Sequence, residues 1–165
     1  MLENFRFMKD FPAAGAWATG FPAKEAGGFV YILCWLEEGR EVPFYVGETH
    51  RLSERIDDYC AKQFQAATDF RVGEAVCYLR DVKGFRVVVR YKTSAEEKAE
   101  RLKDEYQTAR WFQTSGARLL NDFASYDYRN ADPSEEREAL HKFCEVLIYA
   151  ARSPFIREAR QAVRL

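Results

Sequence analysis

Residues 29–36 read FVYILCWL, and both alternating sets are apolar: Phe29, Tyr31, Leu33 and Trp35 on one side, Val30, Ile32, Cys34 and Leu36 on the other. A run apolar on both faces suits a central strand covered from both sides. The segment EEGREV supplies a turn, and PFYVGE follows as a second strand paired antiparallel with the first, with Pro43 at its start. From about Arg51 to Phe64 the period changes. Leu52, Ile56, Tyr59 and Phe64 recur at helical spacing, with Arg55 beside the stripe and Thr49 or Ser53 as the cap.

Residues 66–74 read as a loop, and AVCYLRD and FRVVVRYKT as a hairpin turning at Val82-Lys83-Gly84. In its second arm Phe85, Val87, Val89 and Tyr91 face one way, and Arg86, Val88, Arg90 and Lys92 the other. A helix then starts at Ser94 with a Ser94–Glu97 capping box, its buried stripe formed by Ala95, Ala99, Leu102, Tyr106 and Ala109. LLNDF is a short extended piece. Asp132-Pro133 opens a third helix with Leu140, Phe143, Cys144, Leu147, Ile148 and Ala151 as its core face. Ser153-Pro154 restarts a short basic helix, FIREARQAVRL. Hairpins outnumber βαβ units in this order, so the expected class is α+β: a small, mainly antiparallel sheet flanked by helices, with a C-terminal helical extension. The expected organisation is an irregular N-terminal arm over 1–27, a domain over 28–123, and the extension over 124–165 packed on it.

Composition sharpens this. Of 165 residues, 47% are hydrophobic and 15% aromatic, enough for one real core with aromatics to spare for a ligand. The net charge of −1 gives no global attraction to nucleic acid, so such binding needs the cations sorted onto one face. Arg51, Arg55, Arg86, Arg90, Lys92, and Arg152, Arg157, Arg160 and Arg164 are the candidates. The four cysteines (Cys34, Cys60, Cys77, Cys144) form no CxxC pair and read as reduced core residues, which together with the lack of a secretory pattern points to the cytoplasm. No apolar run is long enough for a membrane span.

The order of Tyr31, Tyr45-Val46-Gly47, Arg55 and Tyr59 resembles the GIY-YIG nuclease family, as in its excision-repair incision and homing endonuclease members. Phe29-Val30-Tyr31 stands at the first signature triplet and Tyr45-Val46-Gly47 at the second. Arg55 in GETHRLSER stands at the family's arginine, with Tyr59 one helical turn on. The resemblance covers roughly residues 28–123. It implies that Glu105 in LKDEYQTARW, preferred over Glu97 and Glu100, holds Mg²⁺ or Mn²⁺, and that Asn121 in LLND is the family's later asparagine.

By that resemblance the chain is a metal-dependent endonuclease hydrolysing DNA phosphodiesters, with Tyr31, Tyr45, Arg55, Tyr59 and Glu105 catalytic. Arg51, Arg90, Lys92 and Asn121 would contact phosphate. DNA is the implied partner, with a targeting protein or a second copy of the chain to choose the site; repair, restriction and mobile-element roles stay open, and the general base is Tyr31 or Tyr45. The chain departs from the pattern at Phe29, where the family has glycine, and at Glu48, where some members have lysine. The alternative is a non-catalytic nucleic-acid-binding or protein-interaction module on the same fold.

Overall fold

The computed structural model describes residues 1–23 and 27–153. The expected C-terminal helix after Ser153, with Arg157, Arg160 and Arg164, lies outside the described residues. The class is α+β: a four-stranded antiparallel sheet in the order β1-β4-β2-β3, flanked by helices on both faces. Its strands are β1 (Phe7–Asp10), β2 (Gly28–Glu37), β3 (Arg40–Thr49) and β4 (Arg86–Ser94). The helices are α1 (Leu52–Ala61), α2 (Ala67–Cys77), α3 (Lys98–Thr114) and α4 (Pro133–Arg152).

β2 lies between β3 and β4, as its two-sided hydrophobicity requires. Phe29, Tyr31, Leu33 and Trp35 join Val87, Val89 and Tyr91 in the larger core, under α1, α2 and α4. Val30, Ile32, Cys34, Val46 and Val88 face the other way and pack with Ala109 and Phe112 of α3. The β2–β3 connection is tighter than the expected EEGREV turn. Only Glu38 and Gly39 stand outside the strands, both with positive φ (50° and 71°), the mirror-image turn that matches strand twist.

Four expectations are corrected. The 66–84 region contains no hairpin: AVCYLRD is the end of α2 followed by a π-helical turn, Tyr78–Val82. Its period is hidden because α2 is enclosed on nearly every side. Residues 70–76 are all buried, Arg71 and Glu74 among them, so no polar face is left to mark the helix. Second, α3 begins at Lys98 rather than Ser94. Ser94 ends β4, and its hydroxyl donates to Asp104 instead of capping the helix (2.9 Å). Third, the arm is not wholly irregular. After a short 3-10 turn at Leu2–Asn4, β1 pairs with β4 as an edge strand. LLNDF is likewise a 3-10 turn over Leu120–Asp122 rather than an extended piece. α4 is as expected: Asp132 caps it, accepting from the Ser134 and Glu135 amides, and Leu140, Cys144, Leu147, Ile148 and Ala151 are buried.

Candidate functional site

Strict alternation along β3 would put Tyr45 and Tyr31 on opposite faces. Cys34 pairs with Pro43 but Leu33 pairs with Tyr45, so Phe44 is an extra residue in a β-bulge. The bulge resets the alternation, and both tyrosines enter the core under α1. Pro43 thus sits inside the edge strand, at the bulge, rather than at the strand start, where its missing N–H costs no ladder bond.

Opposite Tyr31 in the β2–β3 ladder stands Gly47. A Cβ there would overlap the Tyr31 hydroxyl and the ring carbon that carries it. The ring therefore lies across the bare backbone of Gly47. Its hydroxyl meets that of Tyr59 from α1 in a short hydrogen bond. Tyr45 completes the cluster, its ring centroid 6.3 Å from that of Tyr31 and 6.1 Å from that of Tyr59. Tyr31 and Tyr59 are fully buried and Tyr45 is 8% exposed. Burial pushes all three phenols above their ordinary pKa, so the cluster is protonated and its hydroxyls can donate.

Arg55 lies over the Tyr59 ring, its guanidinium carbon 4.8 Å from the centroid. Its Nη1 donates to Asp69 Oδ1 at 2.6 Å, and Asp58 Oδ2 is 3.8 Å away. Burial works against this cation. The Asp69 carboxylate beside it nevertheless keeps it charged.

Glu105 arrives from α3. The expected stripe there is corrected: Leu102 and Tyr106 are exposed (44% and 65%), and the face turned to the sheet is Arg101, Thr108, Ala109 and Phe112, with Glu105 part-buried among them. Burial, then the Glu48 carboxylate, push the Glu105 carboxyl up to about 7, while Arg55 pulls the other way. Tyr45 feels the Glu105 charge in turn. Glu105 is thus electrically joined to the tyrosine–arginine cluster at the β3 edge. Among the described residues its carboxylate makes no hydrogen bond or ion pair.

Glu48 is not an uncompensated charge. Arg101, 3% exposed and one turn before Glu105, donates through Nε to Glu48 Oε2 at 2.7 Å, and its Nη1 donates to the Ala95 and Glu96 carbonyls. The cation that pairs with this strand residue comes from the helix. Asp69, Arg101 and Arg71 were not singled out by the sequence reading. Arg71 is buried, donates to the Phe123 carbonyl, leaves its Nε unpaired, and its charge reaches Tyr45 and Tyr59. The step Arg101–Glu105–Thr108–Phe112 was the available signal, hidden because half of it is charged.

The residues expected to contact phosphate divide differently. Asn121 brackets the free edge of β3: Val46 N–H donates to its Oδ1 (3.0 Å) and its Nδ2 donates to the Val46 carbonyl (2.8 Å). It pairs with the strand as another strand would, and both ends of its amide are occupied. Arg90 forks onto Glu41 and also donates to the Phe5 carbonyl; Lys92 holds Asp104 at 2.9 Å. Both lie on β4, two strands from Tyr45. Arg51, at the start of α1, is the more exposed cation, 3.6 Å from Asp58. His50 is exposed. No helix among the described residues is long and apolar enough to cross a membrane. Comparison with models of known families, with curated proteins and with solved structures returned no match.

Proposed function

We propose that this chain is a phosphodiester hydrolase of the GIY-YIG type that cuts DNA with the help of a divalent cation. The observation that carries the reading is the convergence, from β2, β3, α1 and α3, of three buried phenols, a charged arginine and one unpaired carboxylate. A core packed for stability alone has no use for Glu105 there, since an unpartnered carboxylate with a raised pKa costs stability.

Glu105 offers a single carboxylate, a hard oxygen donor of the kind Mg²⁺ or Mn²⁺ takes. No three His, Cys, Asp or Glu side chains group to hold an ion among the described residues. An ion on Glu105 alone would keep most of its waters, as Mg²⁺ does. Glu105, ionised, would hold the ion, which would supply positive charge to the reacting phosphate. Arg55, turning from Asp69, pairs with two phosphate oxygens. Tyr31 and Tyr59 fix one another through their shared hydrogen bond and orient Tyr45. Tyr45, the one phenol with some exposure, faces the attacking water. Because its raised pKa keeps it protonated, Tyr45 takes the water's proton only as it hands its own to a phosphate oxygen, while the new P–O bond forms and the bond to the leaving oxygen breaks. Arg101 holds Glu48 away from the incoming phosphate.

The test is nicking of supercoiled plasmid with Mg²⁺ by the wild type, Glu105→Ala and Tyr45→Phe. Nicking by the wild type with a loss of at least about 100-fold in each variant is expected. Equal cutting by both variants, or none by the wild type on nicked, branched and single-stranded DNA, sinks the reading. One observation favours the rival, a binding module that does not cut: Arg55 already has a carboxylate partner in Asp69. On that reading the wild type binds DNA without nicking it and Asp69→Asn tightens binding.

A further inference from the structure

Two of the four cysteines are not core residues. Cys34 and Cys144 are buried, whereas Cys60 and Cys77 are part-exposed. Both line a cavity of about 160 Å³ between the arm and the last turns of α1 and α2, together with Tyr59, Lys62, Gly73 and Arg80. Gly73 brings the two helices together, since a Cβ on it would run into the Tyr59 carbonyl and the Lys62 side chain. Cys77 is one turn after Gly73 and Cys60 directly follows Tyr59, so the close approach of the helices brings both thiols to the lining of the same cavity.

Their surroundings differ. Lys62 Nζ donates to Cys77 Sγ at 3.4 Å, and Arg80 Nη2 approaches the same sulfur at 4.0 Å. Lys62 keeps its charge despite burial because Cys77 and Glu74 (3.4 Å) face it. The reacting form of cysteine is the thiolate, which cationic neighbours stabilise. Cys60 has no such pair. Burial and then Asp57 push its thiol up.

We propose that Cys77 and Cys60 form an oxidisable dithiol, a covalent modification site at the back of the tyrosine cluster whose co-substrate is hydrogen peroxide. The Cys77 thiolate attacks one peroxide oxygen. An S–O bond forms, the O–O bond breaks, and the departing oxygen takes a proton and leaves as water. Cys77 sulfur is oxidised by two electrons and the peroxide is reduced. The Cys60 sulfur then attacks Cys77 sulfur. The S–S bond forms as the S–O bond breaks, and the hydroxide released takes the Cys60 proton and leaves as a second water. A dithiol reductant returns both sulfurs to thiols. The bridge ties α1 to α2 at the residue after Tyr59.

Native protein is treated with hydrogen peroxide, denatured in iodoacetamide, digested and read by mass spectrometry. The expected product is a peptide pair linked through Cys60 and Cys77, lost on treatment with dithiothreitol, with Cys34 and Cys144 alkylated. Cys60→Ser stops the sequence early, so dimedone tags Cys77. Cys77→Ser gives neither link nor dimedone adduct at Cys60. Lys62→Met, which leaves both thiols in place, slows linking several-fold. Circular dichroism confirms that each variant is folded. Full alkylation of both cysteines after peroxide overturns the proposal, as does finding Cys77 only in links between two chains.

Discussion

Gly47 is a residue whose missing side chain does the structural work. Tyr31 crosses the β3 backbone where any Cβ would overlap its ring and hydroxyl. Gly47→Ala is therefore expected to destabilise by about 1–3 kcal/mol, the usual cost of overpacking a rigid core. Tyr31→Leu removes the obstacle together with a buried hydroxyl contact. In a double-mutant cycle, Tyr31→Leu should cost at least about 1 kcal/mol less when Gly47→Ala is already in place than it does alone. Additivity within about 0.3 kcal/mol would show that the glycine serves the backbone rather than Tyr31.

Glu105 makes the second residue-scale prediction, and its sign is opposite to that of a salt-bridged acid. Its folded pKa of about 7 lies above the ordinary 4.5, so between these values the folded chain keeps a proton that the unfolded chain has lost. Stability then falls as pH rises from about 4.5 to 7 and stays lower above it. Glu105→Gln stays neutral throughout. Its urea stability should exceed that of the wild type by roughly 1–2 kcal/mol at pH 8, discounted for part exposure, and match it near pH 4.5. At pH 8, millimolar Mg²⁺ should restore stability to the wild type and leave the Gln variant unmoved. A wild-type-minus-variant difference that is flat with pH would put Glu105 in solvent.

At the scale of elements, β3 is an edge strand whose free side is closed by the side chain of Asn121. Asn121→Ala leaves Val46 N–H and C=O without these partners, and a loss of about 1–2 kcal/mol is expected. The salt dependence of any DNA binding should be unchanged, since a phosphate contact and an edge clamp are separable in this way. A shallower salt slope with unchanged stability would return Asn121 to the phosphate-contacting set. The same scale shows what was legible in the sequence. β2 and β3 could be read because hydrophobicity in a central strand and glycine beside a crossing ring leave traces in the residues themselves. The tyrosines and Arg55 were named in advance through the resemblance of their spacing to a known family rather than through the strand pattern. α2 could not be read, because a helix enclosed on all sides, with Arg71 and Glu74 buried in it, has no amphipathic period. The partners of the site's charges were missed for a related reason. Arg101 and Asp69 act by reaching across from other elements, and their local patterns are those of ordinary helix residues. The bulge at Phe44 is likewise a property of two strands together, and without it the shared face of Tyr31 and Tyr45 has no explanation.

For the whole molecule, the consequential point is where the first residues go. The expected arm contributes β1 to the sheet, stacks Phe7 on Tyr91 (centroids 5.2 Å apart), and buries Phe5, Phe11 and Phe21. It is also bonded to the site helix. Ala18 N–H donates to Asp57 Oδ1 (2.8 Å), Ser53 N–H to the Pro22 carbonyl (3.1 Å) and Ser53 Oγ to the Ala18 carbonyl (3.2 Å). These hold the first turns of α1, which carries Arg55 and Tyr59. Removing residues 1–23 should therefore do more than trim an appendage. Three buried phenylalanines leave, each of which contributes about 1.5–3 kcal/mol by burial, against a typical domain stability of about 5–15 kcal/mol. The truncated chain is expected to lose its cooperative urea transition, or to show a midpoint lowered by at least half. Arg55 and Tyr59 would lose their fixed positions with it. A milder cut before Phe7 removes Phe5 and the 3-10 turn but keeps β1 and every bond to α1. It should fold cooperatively with a lowered midpoint. If the chain without residues 1–23 unfolds with the full-length midpoint and slope, the arm is dispensable and the site is built without it.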